Sequence, residues 1–106
     1  MAAYSKKNHF NTEAQELAEI SKALSHPVRI QILKILTEKD ICKCGEIVER
    51  LPLAQSTISQ HLKELKRVGL IKEDIEGPKV CYGINKEMMK KARSAFTDLF
   101  TYVCKK

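Results

Sequence analysis

The chain has 106 residues, 43% hydrophobic and 30% charged, with no tryptophan; that suffices for one globular domain, is too short for two independent cores and is too apolar for a disordered tail. No apolar run approaches the roughly 20 residues of a membrane-spanning helix, and Met1 to Thr12 has no apolar signal-peptide core, so a soluble cytoplasmic protein is expected. The net charge of +6 is uneven, 8 basic against 7 acidic residues in 1–53 and 11 against 6 in 54–106, which makes the second half either the face for a polyanion or simply a soluble basic surface.

From the N-terminus, Thr12 with Gln15 three residues on has the form of a capping box, and Ala14, Leu17, Ala18, Ile20 and Leu24 line one helical face. Ser25, His26 and Pro27 interrupt the pattern, and Pro27 suits the first turn of a new helix because its missing amide hydrogen would be unbonded there. Val28, Ile30, Ile32, Leu33, Ile35 and Leu36 make that helix apolar on most sides, ending near Glu38 to Asp40, so it belongs in the middle of the fold.

A short helix from about Cys44 to Leu51 places Ile47, Val48 and Leu51 on one side, and Pro52 then breaks it. A second helix from about Gln55 to Val68 turns Ile58, Leu62 and Leu65 inward and is closed by Gly69 as a C-terminal cap. Two helices joined by a tight turn, the second opening on small polar residues, form a helix-turn-helix. Leu70 to Ile75 and Val80 to Ile84 are β-prone runs joined by the turn-rich Glu76-Gly77-Pro78-Lys79, a hairpin whose second strand alternates Val80, Tyr82 and Ile84 toward the core. A final helix from about Lys86 to Val103 carries a stripe of Met88, Met89, Ala92, Ala95, Phe96, Leu99, Phe100 and Val103, wider than packing on so small a domain requires. With the first helix it forms a candidate subunit interface, the bland alternative being a helix packed only on its own domain.

The fold expected is therefore mainly α with a small β-hairpin: a winged helix-turn-helix of about five helices and a two-stranded wing. In the helix from Gln55, the side chains of Gln55, Ser56, Thr57, Ser59, Gln60 and Lys63 lie mostly away from the buried line and are free to enter a major groove. Glutamine can pair with adenine edges, serine and threonine with bases or phosphates, and Lys63 can neutralise backbone charge; the alternative is a capped, merely solvated helix face. His61 either reaches phosphate or packs as an internally bonded histidine. Lys79 at the wing tip, with Lys72 nearby, can touch adjacent phosphates or remain solvated.

Ala23-Leu24-Ser25-His26-Pro27-Val28-Arg29 before the apolar helix, Ser56-Thr57-Ile58-Ser59-Gln60-His61-Leu62-Lys63-Glu64-Leu65 and the following Gly69-Leu70-Ile71 resemble the ArsR/SmtB family of bacterial dimeric repressors over roughly residues 12 to 104. The resemblance implies a homodimer that binds a palindromic double-stranded DNA operator and releases it when an inducer arrives. The organisation expected is a flexible N-terminal arm over 1–11 and a winged-helix DNA-binding domain over 12–106 whose terminal helices form the dimer interface.

The four cysteines, Cys42, Cys44, Cys81 and Cys104, have no export signal and read as thiols. Cys42 and Cys44 flank Lys43 at the entry to a helix. Cysteines one residue apart diverge by about 200° inside a regular helix but can converge where the chain is extended or its first turn is distorted, and a helix N-terminus beside a lysine favours the metal-binding thiolate. The pair resembles the Cys-x-Cys of the arsenic- and cadmium-sensing branch, which implies arsenite, cadmium or zinc as inducer at Cys42 and Cys44, with no cofactor required.

The departures are specific. Ile47 stands where the arsenic-type motif has a third cysteine, the arm offers only His9 toward a cadmium-type site, and Cys81 or Cys104 completes the set only if the fold or a dimer brings it close. The zinc site of the last helix is rejected, because Lys86 to Lys106 contains no histidine. Other readings of Cys42 and Cys44 are a dithiol redox sensor or small residues filling a helix junction. An enzyme is not expected: the pair has no accompanying acid–base cluster or phosphate loop. A winged protein-interaction module without DNA binding is the remaining alternative.

Overall fold

A computed structural model describes residues 11–38, 42–76 and 79–106, with side chains over 11–38, 46–74 and 80–106. The expected arm over 1–11 lies outside these residues except for Asn11. Among these residues five helices and three strands follow in the order α1 (Thr12–Ala23), α2 (Pro27–Glu38), β1 (Cys42–Lys43), α3 (Cys44–Arg50), α4 (Gln55–Arg67), β2 (Ile71–Glu76), β3 (Lys79–Ile84) and α5 (Lys86–Lys105). Among the described residues no helix is long and apolar enough to cross a membrane.

The start of α1 differs from the capping box expected at Thr12. Asn11 is the cap: it is extended, and its side chain accepts from the Ala14 N–H at 2.7 Å, which places Thr12 inside the first turn. Ile20 and Ala23 are buried. Pro27 opens α2 as expected, and His26 before it caps the helix with its ring, Nδ1 accepting from the Val28 N–H at 3.2 Å. The apolar positions of α2 bury Ile32, Leu33, Ile35 and Leu36 against α4 and β3, so this helix occupies the middle of the domain.

The wing carries one strand more than the two-stranded hairpin expected. β2 and β3 pair antiparallel from Ile71 opposite Ile84 to Glu76 opposite Lys79, and β1 adds to the other side of β3, giving the order β1-β3-β2. Cys42 stands opposite Tyr82 and Lys43 opposite Cys81. Tyr82 and Ile84 pack on the core as their alternation predicts, while Cys81, on the opposite face just before Tyr82, is also buried, because β3 is the central strand.

α5 is capped by Asn85, whose side chain accepts from the Met88 N–H at 3.2 Å, and runs two residues beyond the expected Val103. It packs on α1, and Ala92 is its one buried residue. Leu99, Phe100 and Val103 remain 42%, 59% and 58% exposed. An open groove of about 670 Å³ runs between α1 and α5, lined on its apolar side by Leu17, Ile20, Val68, Met88, Ala92 and Ala95.

Candidate nucleic-acid interface

Three side chains fix how α4 sits. Ile58, Leu62 and Leu65 are fully buried in the common core, and their spacing of four and three residues puts them on one face. The positions between them face away: Gln55, Ser56, Thr57, Gln60 and Lys63 are exposed and Ser59 is half-buried. The helix opens after extended Ala54, which supplies no side-chain cap, and its first turn contains no acid. The positive pole of the helix is therefore not neutralised from within, which suits an approaching phosphate.

The other end of α4 is closed firmly. Gly69 has φ +83°, the Gly69 N–H donates to the Lys66 carbonyl at 2.9 Å and the Leu70 N–H to the Leu65 carbonyl at 3.1 Å. This is the paired bonding of a Schellman cap. Both basic residues of the last turn are engaged. Lys66 Nζ donates to Glu73 of β2 at 2.7 Å. Arg67 forks, Nη1 to Glu19 of α1 at 2.9 Å and Nε to Glu64 at 3.3 Å. The Glu19 hydrogen bond and then the Glu64 charge hold the Arg67 guanidinium even more firmly protonated than usual. Lys63, by contrast, has no ion-pair partner among the described residues.

Between these ends lies a polar contact that sequence reasoning did not assign. The Arg29 Nε of α2 donates to His61 Nδ1 at 3.1 Å, while its Nη1 donates to the Ala23 carbonyl at 3.1 Å and reaches the Lys22 carbonyl at 3.5 Å. The His26 ring lies 4.4 Å from that of His61, tilted by 51°. Of the two alternatives for His61, this places the ring in internal contact. Partial burial, then the neighbouring His26 and Arg29, push its pKa below the ordinary histidine value. The available signal was a guanidinium set in the first turn of an otherwise apolar helix, where a half-buried charge needs acceptors.

The wing brings Lys72, exposed on β2, opposite Gly83, and the backbone of Lys79 opposite Glu76; the Lys79 side chain lies outside the described residues. So do the side chains of Cys42 and Cys44, whose backbone is extended at Cys42 in β1 and helical from Cys44 in α3. Cys81 is buried and Cys104 is exposed near the end of α5. No group of three or more histidine, cysteine or acidic side chains able to hold a metal ion occurs among the described residues.

Known proteins share this arrangement. The family model described as bacterial regulatory protein, arsR family, matches residues 26–73, from the turn before α2 into β2. An uncharacterized HTH-type transcriptional regulator of Methanocaldococcus jannaschii is 44% identical over 64 residues, covering 59% of this chain and 71% of its own length. The arsenical resistance operon repressor of Staphylococcus xylosus is 35% identical over 75 residues, 71% of each chain. An ArsR-like transcriptional regulator from Rhodococcus sp. RHA1 superposes with a TM-score of 0.76 at 24% identity over 87% of this chain and 86% of its own, a likeness of fold. With the outward polar face of α4 and the wing inside or beside the matched segment, the chain belongs to the ArsR family of bacterial winged-helix transcriptional regulators, which are DNA-binding proteins and not enzymes.

Proposed function

We propose that the chain is a homodimeric repressor that reads a palindromic operator with α4 and releases it when a metalloid or soft metal ion binds the thiols of Cys42 and Cys44. The observation that carries the reading is the division of α4, with Ile58, Leu62 and Leu65 sealed in the core while Gln55, Ser56, Thr57, Gln60 and Lys63 face solvent. Anchored from below and closed at Gly69, the helix can enter a major groove without unfolding anything. There Gln55 and Gln60 pair with base edges, Ser56, Thr57 and Ser59 bond to bases or phosphates, and Lys63, with Lys79 on the wing, neutralises the backbone.

A palindrome needs two copies of that helix. The apolar side of the α1–α5 groove and the exposed Leu99, Phe100 and Val103 on the same α5 helix offer apolar surface to a second chain, more than the scattered apolar residues of an ordinary surface.

The inducer reading rests on the cysteine pair and on the relative that bears the name of an arsenical resistance operon repressor. Extended backbone at Cys42 followed by the helix start at Cys44 is the setting in which neighbouring thiols can converge and ionise. Two thiolates alone leave a trigonal or tetrahedral ion short of ligands, so a further donor or solvent completes the set. α3 begins at Cys44 and packs on α4, so a shift at its first turn reaches the reading helix.

The test is fluorescence anisotropy on DNA selected from random duplexes by the reduced protein. Specific binding should weaken steeply with salt as phosphate contacts release counterions. Changing Ser56, Thr57 and Gln60 together to alanine should remove the preference for the selected site, since each good base contact contributes about 1–3 kcal/mol of discrimination; full preference in that variant refutes the assignment of α4. Arsenite or cadmium should release the wild-type protein but neither Cys42→Ser nor Cys44→Ser, and equal release from all three refutes the sensor.

A further inference from the structure

We propose that Arg29 and His61 are positioning residues for the reading helix: the Arg29 guanidinium, held by the end of α1, grips the neutral His61 ring, so that operator preference requires His61 to stay unprotonated. The proposal rests on the reading of α4 as the DNA-binding helix. It assigns His61 a part that acts through Arg29 instead of through the nucleic acid.

The geometry allows one protonation state. Arginine only donates hydrogen bonds and does not give up its proton in a protein, so the 3.1 Å bond from Arg29 Nε to His61 Nδ1 exists only while that nitrogen carries its lone pair. His61 must then be the neutral ring with its proton on Nε2. The other end of the guanidinium is fixed, because Nη1 donates to the Ala23 carbonyl, one of the carbonyls left without an intrahelical partner at the end of α1. One side chain thus spans three elements: the last turn of α1, the first turn of α2 and the middle of α4.

Among the described residues no carboxylate is set against the ring to favour its protonated form. From α2 comes the Arg29 cation, and from the turn between α1 and α2 comes the His26 ring at 4.4 Å, which can become a second cation. α1 contributes backbone carbonyls, already taken by Arg29. On α4 itself Glu64 is bound by Arg67, and Lys63 points to solvent. A proton on Nδ1 would set one donor against another and place up to three positive groups together. The ring would turn away, and His61 lies between Gln60 and Leu62, so its displacement moves a reading residue and an anchoring residue.

This sign separates the proposal from its rival. A histidine that contacted phosphate directly would bind DNA more tightly once protonated. The experiment measures affinity for the selected operator and for scrambled duplex from pH 5.5 to 8.0 at fixed ionic strength, with nitrogen-15 spectra of the histidine rings recorded on the free protein over the same range.

The ratio of operator to scrambled affinity should fall by about tenfold on acidification, the order expected for losing a hydrogen bond to a charged partner, and the spectra should show His61 as the Nε2–H form at neutral pH. His61→Asn, whose side-chain oxygen can replace Nδ1 as acceptor without titrating, should recover most of the preference lost in His61→Leu and show a flat profile. A ratio that rises on acidification, an Nδ1–H tautomer, or an unchanged pH profile in His61→Asn overturns the proposal. Absence of any operator preference at pH 8.0 overturns the DNA-binding reading instead, and the ring spectra, which need neither DNA nor a variant, still decide whether the Arg29 bond is made.

Discussion

Gly69 provides the cleanest test of how the domain is held together. It joins α4 to the wing: its N–H and that of Leu70 close α4, the Leu70 carbonyl accepts from the Asn85 N–H at 3.0 Å, and β2 starts at Ile71. Its φ of +83° lies where a side chain is strained. A Cβ built there would meet only Met88 Cγ, at 3.6 Å, an ordinary contact, so Gly69→Ala isolates backbone strain from steric collision. The left-handed conformation costs a non-glycine residue about 1–2 kcal/mol, and the stiffer unfolded chain returns about 0.4–1 kcal/mol. The net expected loss is about 1 kcal/mol, a fall in melting temperature of about 4–8 °C for a domain near this size. Asparagine tolerates this region better and should lose less, and β-branched valine should lose more. Urea unfolding at one fixed protein concentration reads the series as a shift in midpoint with an unchanged slope. A Gly69→Ala protein as stable as the parent would refute the argument, because nothing else at this site offsets the strain.

Three further outcomes follow from particular contacts. Asn11→Ala should cost about 1 kcal/mol of unfolding free energy by removing the bond to the Ala14 N–H, whereas Thr12→Ala, inside the first turn, should cost less; the reverse order in urea titrations would restore the cap to Thr12. Phe100→Glu, at a position 59% exposed in the single chain, should leave helical content intact while shifting sedimentation toward the monomer; an unchanged dimer would place the second copy elsewhere. Glu73 has its carboxyl held below the ordinary 4.5 chiefly by the Lys66 hydrogen bond. Its contribution to stability is therefore fully present above that value and is lost as pH falls through the lower folded value. Glu73→Gln should flatten that part of the acid limb slightly, since the pair is solvent-exposed, and an acid limb of unchanged slope would show that the pair contributes nothing.

Features whose cause lies within one turn of chain were legible in the sequence. Pro27 opens α2 where a missing amide hydrogen does no harm, Gly69 closes α4 where only its backbone turns easily, and Ile58, Leu62 and Leu65 declare the buried face by spacing alone. The N-terminal cap was one residue off because Asn11 and Thr12 are both competent caps, and periodicity does not choose between adjacent candidates. β1 carries no local signal: two residues become a strand only because β3, some 40 positions later, presents a free edge. The same holds for the polar ties. Arg29 and His61 are 32 residues apart and Arg67 and Glu19 are 48 apart, and each partner alone reads as an ordinary charged or titratable residue on a helix.

What the sequence marks, then, is the outward polar face of α4, whereas the contacts that aim that face emerge only in three dimensions. The division has a physical origin. Pointing a side chain outward requires only that its neighbours three and four residues away be buried, but fixing the orientation of a short helix requires bonds to elements on either side of it. Among the described residues α4 is tied by Arg29 from α2 at its middle and by Glu19 from α1 and Glu73 from β2 at its C-terminal turn. The two exposed ion pairs are screened by solvent and contribute little alone. The half-buried Arg29–His61 bond is shielded more, and it is made only by an unprotonated ring nitrogen. On the proposed reading, a regulator built this way keeps the outward side chains of α4 free to vary with the operator while the aim of the helix is set by contacts made away from that face.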